Sequence, residues 1–497
     1  MLRKIRTILA AVIFVLITLL FLDFTGTLHC WLSWLAKVQF LPAVMALNVG
    51  VIVVLIALTL VFGRIYCSVI CPLGVLQDVL ARLRWKKNKY SYSKEVRWLR
   101  YPMLVVFILA FVAGVGSLFQ LLAPYSSYGR IATMIFQPLW MWCNNLLAMA
   151  AEHYESYAFY SVDVWMRSLP VFVIAAVTLV VLIILAWRGG RTYCNTICPV
   201  GTILSFFARF SWLKVRFDPD KCKNCSMCSK NCKSACIDYK THTVDYSRCV
   251  VCGNCIDKCK FGALYYSGST RSTSSTSSTS STSSSSSVDA SKRSFLVATA
   301  LASTAAFAQK KEKLMDGGLA DIEDKVQPHR QTPLTPPGSL SYDNLSTRCT
   351  GCQLCVSECP NHVLRPSGDL MHLMQPEMSY ERGYCRPECT RCSEVCPAGA
   401  IKPLDDIEKS SIQIGHAVWI KKNCVVLTDE VECGNCARHC PSGAIEMVPL
   451  DENNEESPMI PAINESACIG CGACEYVCPS RPFSAIYVEG HEVHKKI

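Results

Sequence analysis

Four runs of the chain are predominantly apolar: Thr7–Leu22, Leu41–Phe62, Pro102–Leu122 and Pro170–Trp187. A helix needs about 20 apolar residues to cross the hydrocarbon of a bilayer, so each run predicts a spanning helix. The first is a few residues short unless it extends to Phe24. Between the runs the polar stretches differ in charge. "MLRKIR" at the start and "RLRWKKNKYSYSKEVRWLR" between the second and third runs are rich in Lys and Arg, whereas residues 123–168 carry only Arg130 and Arg167. By the positive-inside rule both ends of this four-helix unit face the cytoplasm.

The second and fourth runs end on one phrase. It reads "RIYCSVICPLG" at Arg64–Gly74 and "RTYCNTICPVG" at Arg191–Gly201. Equivalent positions in a two-plus-two helix repeat would bring Cys67, Cys71, Cys194 and Cys198 together on the cytoplasmic side. Two readings stand. The four thiols can ligate a cluster or other metal, or each Cys-x3-Cys can shuttle between dithiol and disulfide.

Composition sharpens this picture. The 497 residues are 51% hydrophobic, carry a net charge of +10 and include 31 cysteines. The positive charge is concentrated at the predicted cytoplasmic ends, so it reads as a topology signal with anionic-lipid contact, and no nucleic-acid partner is expected. Cysteines in tight groups of four read as metal ligation rather than as a disulfide framework.

Beyond the fourth run come "CKNCSMCSKNC" (Cys222, Cys225, Cys228, Cys232) and "CVVCGNCIDKC" (Cys249, Cys252, Cys255, Cys259). Both have the bacterial ferredoxin spacing, in which three thiolates hold one cubane and the fourth reaches its neighbour. The expected sets are therefore Cys222, Cys225, Cys228 with Cys259, and Cys249, Cys252, Cys255 with Cys232. Zinc sites usually separate two Cys-x2-Cys pairs by a longer loop. The usual proline after the fourth cysteine is replaced by Lys233 and Lys260, and Cys236 stands near enough to substitute for Cys232.

Residues 267–291 form a Ser/Thr-rich tract that cannot bury a core and is expected to be a linker. Residues 292–308 follow as Lys292-Arg293, an apolar stretch and a small-residue finish, the order of parts in an export signal. A short buried helix and a thin fifth span are the alternatives. The distal part then offers four more thiol sets: Cys349, Cys352, Cys355, Cys359; Cys385, Cys389, Cys392, Cys396; Cys424, Cys433, Cys436, Cys440; and Cys468, Cys471, Cys474, Cys478. Cys30, Cys143 and Cys236 are left over.

These motifs carry a resemblance. Residues 1–265 resemble the NapH family of membrane ferredoxins, on the apolar runs, the two Cys-x3-Cys-Pro phrases and the two-cluster tail. Residues 290–490 resemble the NapG family, on the export-like start, "TPPGSL" at Thr335–Leu340, "IGHAVWI" before the third set, and the Cys-x8-Cys loop. The resemblance implies a quinol dehydrogenase, with (mena)quinol from the membrane pool as substrate and a periplasmic reductase or cytochrome subunit as partner. It also implies nested pairing of the distal sets, first with fourth and second with third, while their spacing leaves neighbour pairing open.

The expected architecture is thus multi-domain: an α-helical membrane bundle of four spans plus two α+β ferredoxin modules. The divisions are 1–214 (membrane domain), 215–266 (cytoplasmic two-cluster module), 267–291, 292–308 and 309–497 (four-cluster module, periplasmic), in a multi-pass bacterial inner-membrane protein. Six [4Fe-4S] clusters are expected, and a seventh centre if Cys67, Cys71, Cys194 and Cys198 bind metal. Ionisable residues at membrane depth are functional candidates by default, so Asp23, His29, Arg130, Glu152 and His153 are candidates for a quinol site. The competing class is a redox-regulatory or metal-assembly membrane ferredoxin. No haem-attachment motif or convincing dinucleotide fingerprint is present, so the terminal chemistry is expected on another subunit.

Overall fold

The computed structural model describes residues 2–83, 90–155, 158–268, 323–451, 453–454 and 457–497. All but the first two residues of the predicted linker 267–291, and the whole export-like segment 292–308, lie outside the described residues.

The apolar runs become helices, but not four unbroken ones. Helix α1 (Leu2–Leu22) leads through α2 (His29–Lys37) and α3 (Phe40–Met45) to α4 (Val49–Phe62). The second run is therefore split: Leu47 turns with φ +53°, and the Asn48 side chain accepts from the Val51 amide to start α4. After α5 (Tyr66–Val69) and α6 (Pro72–Arg82), the third run is split in the same way. Helix α7 (Arg97–Val112) stops before Gly114, at φ +71°, and α8 (Gly116–Leu122) resumes. Next come α9 (Pro124–Ile131), a π-helical turn at Ala132–Phe136, α10 (Gln137–His153), α11 (Leu169–Gly189), α12 (Thr192–Thr196) and α13 (Pro199–Ala208). Two described helices, α1 and α11, each of 21 residues, are long and apolar enough to cross a membrane; α4 has 14 residues. The expectation of four full-length spans is corrected to two long helices and two interrupted ones.

Two small α+β modules follow. In the inner module β1 (Lys214–Phe217) pairs antiparallel with β4 (Leu264–Ser267), while β2 (Ile237–Asp238) pairs with β3 (Thr243–Val244). The distal module holds the ribbons β5 (Leu364–Pro366) with β6 (Pro376–Met378), β7 (Ile412–Trp419) with β10 (Ile486–Lys496), and β8 (Ile445–Pro449) with β9 (Met459–Ile463). Two-stranded ribbons this small do not hold themselves together. What fills the inner module is a core in which Cys228, Cys232, Cys236 and Cys255 pack with Val215, Ile237 and Leu264.

The modules sit at opposite ends of α1. Arg3 at its start pairs with Asp257 of the inner module. Past its other end, Gly26 lies against the Arg391 guanidinium of the distal module, leaving no room for a Cβ. At 1.5 Å per residue, the 21 residues between them measure about 31 Å, the hydrocarbon thickness of a bilayer.

Candidate iron–sulfur centres

Each Cys-x3-Cys-Pro phrase folds the same way. A long helix ends on a left-handed glycine, Gly63 (φ +76°) or Gly190 (φ +70°). One short turn, α5 or α12, carries the first cysteine. The second cysteine is extended (φ −72°, ψ 115° at Cys71; φ −67°, ψ 116° at Cys198) and caps the next helix. Pro72 and Pro199 then occupy its first turn, where a missing N–H and a fixed φ cost nothing. Gly74 and Gly201 follow because a Cβ at either would collide with the carbonyl of Cys67 or Cys194.

The four thiols come together as the repeat predicts, each 4% exposed. The arginines of the phrases cross over. Arg191 donates to the Cys67 carbonyl and binds Asp78 at 3.0 and 2.9 Å. Arg64 donates to the Cys194 carbonyl at 3.0 Å, Asn195 Oδ1 at 3.0 Å and the Ser247 carbonyl at 2.9 Å, and points at Cys67 Sγ at 3.8 Å. Asp78 also meets Lys233 at 3.3 Å and Arg6 at 3.4 Å. Arg64 is fully buried, and none of its hydrogen bonds among the described residues goes to a carboxylate. A buried cation needs countercharge, and deprotonated thiolates on a cluster would supply it. Among the described residues no three of these sulfurs lie within 4.8 Å of one another. The donor set fits.

The ferredoxin thiols gather as crosswise sets. One cavity of the inner module is lined by Cys222, Cys225, Cys228 and Cys259. Cys232 joins the Cys249 group, and its Sγ stands 3.5 Å from that of Cys236, so both lie at the second inner site. In the distal module one cavity is lined by Cys385, Cys389, Cys392 and Cys359. Cys349, Cys352 and Cys355 have Cys396 as their fourth neighbour. Cys468, Cys471 and Cys474 have Cys440, while Cys433 and Cys436 have Cys478 beside them, with Cys424 preceding in the motif. The sets pair first with second and third with fourth. The nested order implied by the resemblance is corrected by these contacts.

The quinol-site candidates are scattered. Asp23 and His29 are buried together with Glu358 of the distal module, a residue that has no motif signal beyond lying next to Cys359. Asp23 accepts from the amides of Thr25, Gly26 and Leu28, which fixes the α1–α2 turn. His29 Nε2 meets Glu394 at 3.2 Å, and its Nδ1 lies unpartnered 4.0 Å from Glu358. Burial, with Asp23 adding to it, pushes the Glu358 carboxyl up to about 8. Arg130 is buried elsewhere, tied to Ser126, Ser127 and the carbonyls of Gln120 and Leu121. Glu152 and His153 are exposed at the end of α10. No hydrogen bond or ion pair among the described residues joins them to Asp23, His29 or Arg130.

Comparison with known proteins agrees with this geometry. Residues 44–90 and 169–218, which contain the two phrases, match a 4Fe-4S binding domain family. Residues 348–411 and 431–481 match a 4Fe-4S dicluster domain, and a second dicluster family spans 245–363. The chain is similar to the ferredoxin-type protein NapH of Haemophilus influenzae, at 24% identity over 221 residues, covering 42% of this chain and 64% of that relative. It is similar to the ferredoxin-type protein NapG of Escherichia coli, at 26% over 180 residues, covering 33% of this chain and 75% of NapG. An uncharacterized protein of Methanocaldococcus jannaschii is 24% identical over 230 residues, covering 44% of this chain and 71% of its own. No solved structure matches. The fold and thiol sets thus define an iron–sulfur electron-transfer protein of ferredoxin type. The chain is a NapH/NapG-like ferredoxin.

Proposed function

We propose that the chain is a multi-pass membrane quinol dehydrogenase of the bacterial inner membrane. On this reading residues 1–214 form the membrane domain, 215–266 a cytoplasmic module and 309–497 a periplasmic one joined through 267–308. Six [4Fe-4S] clusters sit on the ferredoxin thiols and a seventh on Cys67, Cys71, Cys194 and Cys198. When bound, the clusters supply one-electron transfer. The protein's own residues hold and insulate them and take the protons that a quinol releases. The periplasmic partner is a reductase or cytochrome subunit.

The observation that carries this reading is His29. It is a buried imidazole with an unpartnered ring nitrogen, at the start of α2, seven residues past the end of the spanning-length α1, and against Glu394 of the distal module. That is where a proton acceptor for a headgroup-level quinol is needed. Adding a menaquinol analogue to anaerobic protein should bleach the distal clusters. His29→Leu should slow the bleaching while iron content stays unchanged. Clusters that remain oxidised in excess quinol would rule the activity out. The regulatory or metal-assembly alternative has no use for the four distal thiol sets.

A further inference from the structure

The four phrase cysteines lie between the two modules, and hydrogen bonds connect their surroundings to both. Toward the inner module, Arg64 ties the Cys194 carbonyl to that of Ser247, two residues before Cys249. The Arg191 amide donates to the Lys233 carbonyl at 2.9 Å, one residue after Cys232. Toward the distal module the tyrosines of the phrases take over. Tyr193, next to Cys194, donates its hydroxyl to the Leu122 carbonyl at 3.3 Å. Four residues further on, Ser126 donates to the Gly351 carbonyl at 2.9 Å, one residue before Cys352. Gln120 donates to the Cys349 carbonyl at 2.9 Å. Gly129 packs so tightly on the Cys352 carbonyl that no Cβ fits. Tyr125, fully buried, has Cys352, Tyr128 and Tyr66 among its neighbours. One continuous buried core contains Cys252, Cys67, Cys71, Cys198, Tyr125, Cys349 and Cys352.

We propose that the Cys67–Cys71–Cys194–Cys198 centre is the membrane-crossing step of an electron conduit that joins the Cys249 set of the inner module to the Cys349 set of the distal module. The chain then exchanges electrons across the bilayer with a carrier on the inner side and needs no quinone to do so. This rests on the reading of the four thiols as a cluster centre. Each step moves one electron. The donor centre is oxidised by one, the acceptor reduced by one, and no bond or proton changes place. The electrons come from a low-potential one-electron carrier protein. Exposed Lys223, Lys258 and Lys260 flank the Cys222 set, beside Lys221, which pairs with Asp218 at 3.0 Å, a surface that suits an acidic carrier.

The test uses the full-length protein in quinone-free vesicles, with ferricyanide trapped inside and titanium(III) citrate outside. Ferricyanide should be consumed faster than the leak of protein-free vesicles. Cys67→Ser should return the rate to that leak. Gly129→Val keeps every thiol but pushes α9 off Cys352, and should slow transfer with iron content unchanged. A second readout needs no turnover. Electron paramagnetic resonance of the reduced protein should show the Cys349-set signal relaxing faster through a magnetic neighbour, an effect lost in Cys67→Ser. Wild-type transfer no faster than the leak, or transfer unaltered by both substitutions, overturns the conduit. If iron is present at the four thiols and transfer is absent, the conduit alone fails. If the protein carries the other clusters and nothing there, the cluster reading fails with it.

Discussion

Arg64 and Cys194 belong to different copies of the repeated phrase, yet the Arg64 guanidinium donates to the Cys194 carbonyl at 3.0 Å. Arg191 returns the contact to the carbonyl of Cys67. Each half of the membrane domain therefore holds the cysteine turn of the other half in place, and neither thiol pair is set by its own helix alone. The arginine at a fixed distance from each cysteine pair is part of what positions the four thiols.

Replacing Arg64 by Met should empty this centre selectively. It removes a buried cation and leaves the acceptors Cys194 O and Asn195 Oδ1 without this donor, each costing about 1–3 kcal/mol, while Ser247 O keeps Arg100 at 3.4 Å. Arg64→Lys keeps the charge but loses the fork, and should retain part of the metal. Iron per chain and thermal unfolding of both variants check this. Full iron in Arg64→Met would remove the arginine from the site.

Gly74→Ala and Gly201→Ala should behave alike. In each, the new methyl meets the carbonyl of the first cysteine of its own phrase. Both should lower membrane-domain stability and loosen the same centre, with the distal clusters' spectra unchanged. Loss in one variant only would break the two-fold relationship.

The repeat and the thiol sets were legible because spacing alone encodes them: Cys-x2-Cys-x2-Cys-x3-Cys leaves few geometric choices. Spanning lengths were less so, since hydropathy does not register the turns at Leu47 and Gly114 that split two runs. Asp78 gave no signal, and Lys233 stood out only as a replaced proline, because their pairing joins α6 to the inner module across a long stretch of sequence. Glu358 was missed for the same reason. Glu152 and His153 drew attention as charged residues in an outward loop, where solvation is the ordinary outcome.

Cys236 should act as a reserve ligand. Its sulfur stands 3.5 Å from that of Cys232, so Cys232→Ser and Cys236→Ser should each retain the second inner cluster. The double variant should lose it, about four iron atoms per chain. An equal loss from Cys232→Ser alone would show that Cys236 cannot reach.

The distal module should weaken below neutral pH through His494, which burial, with His491 nearby, holds down at about 4. Its Nε2 bonds Thr335 at 2.9 Å, and His491 in turn stacks on His416. The unfolded chain takes this proton near pH 6.5 and the native one does not, so stability rises with pH between the two values. The contribution is full above about 6.5 and lost toward 4, at most about 3 kcal/mol. His494→Gln should flatten that part of the stability profile relative to wild type, measured by denaturant unfolding of the full chain.

The most direct test of the account is the sidedness of the two modules. Protease added to intact spheroplasts should digest residues 323–497 and spare residues 215–266, which should become sensitive only after lysis. Protection of both modules until lysis, or digestion of both before it, would contradict a chain that carries its thiol sets on opposite faces of the membrane.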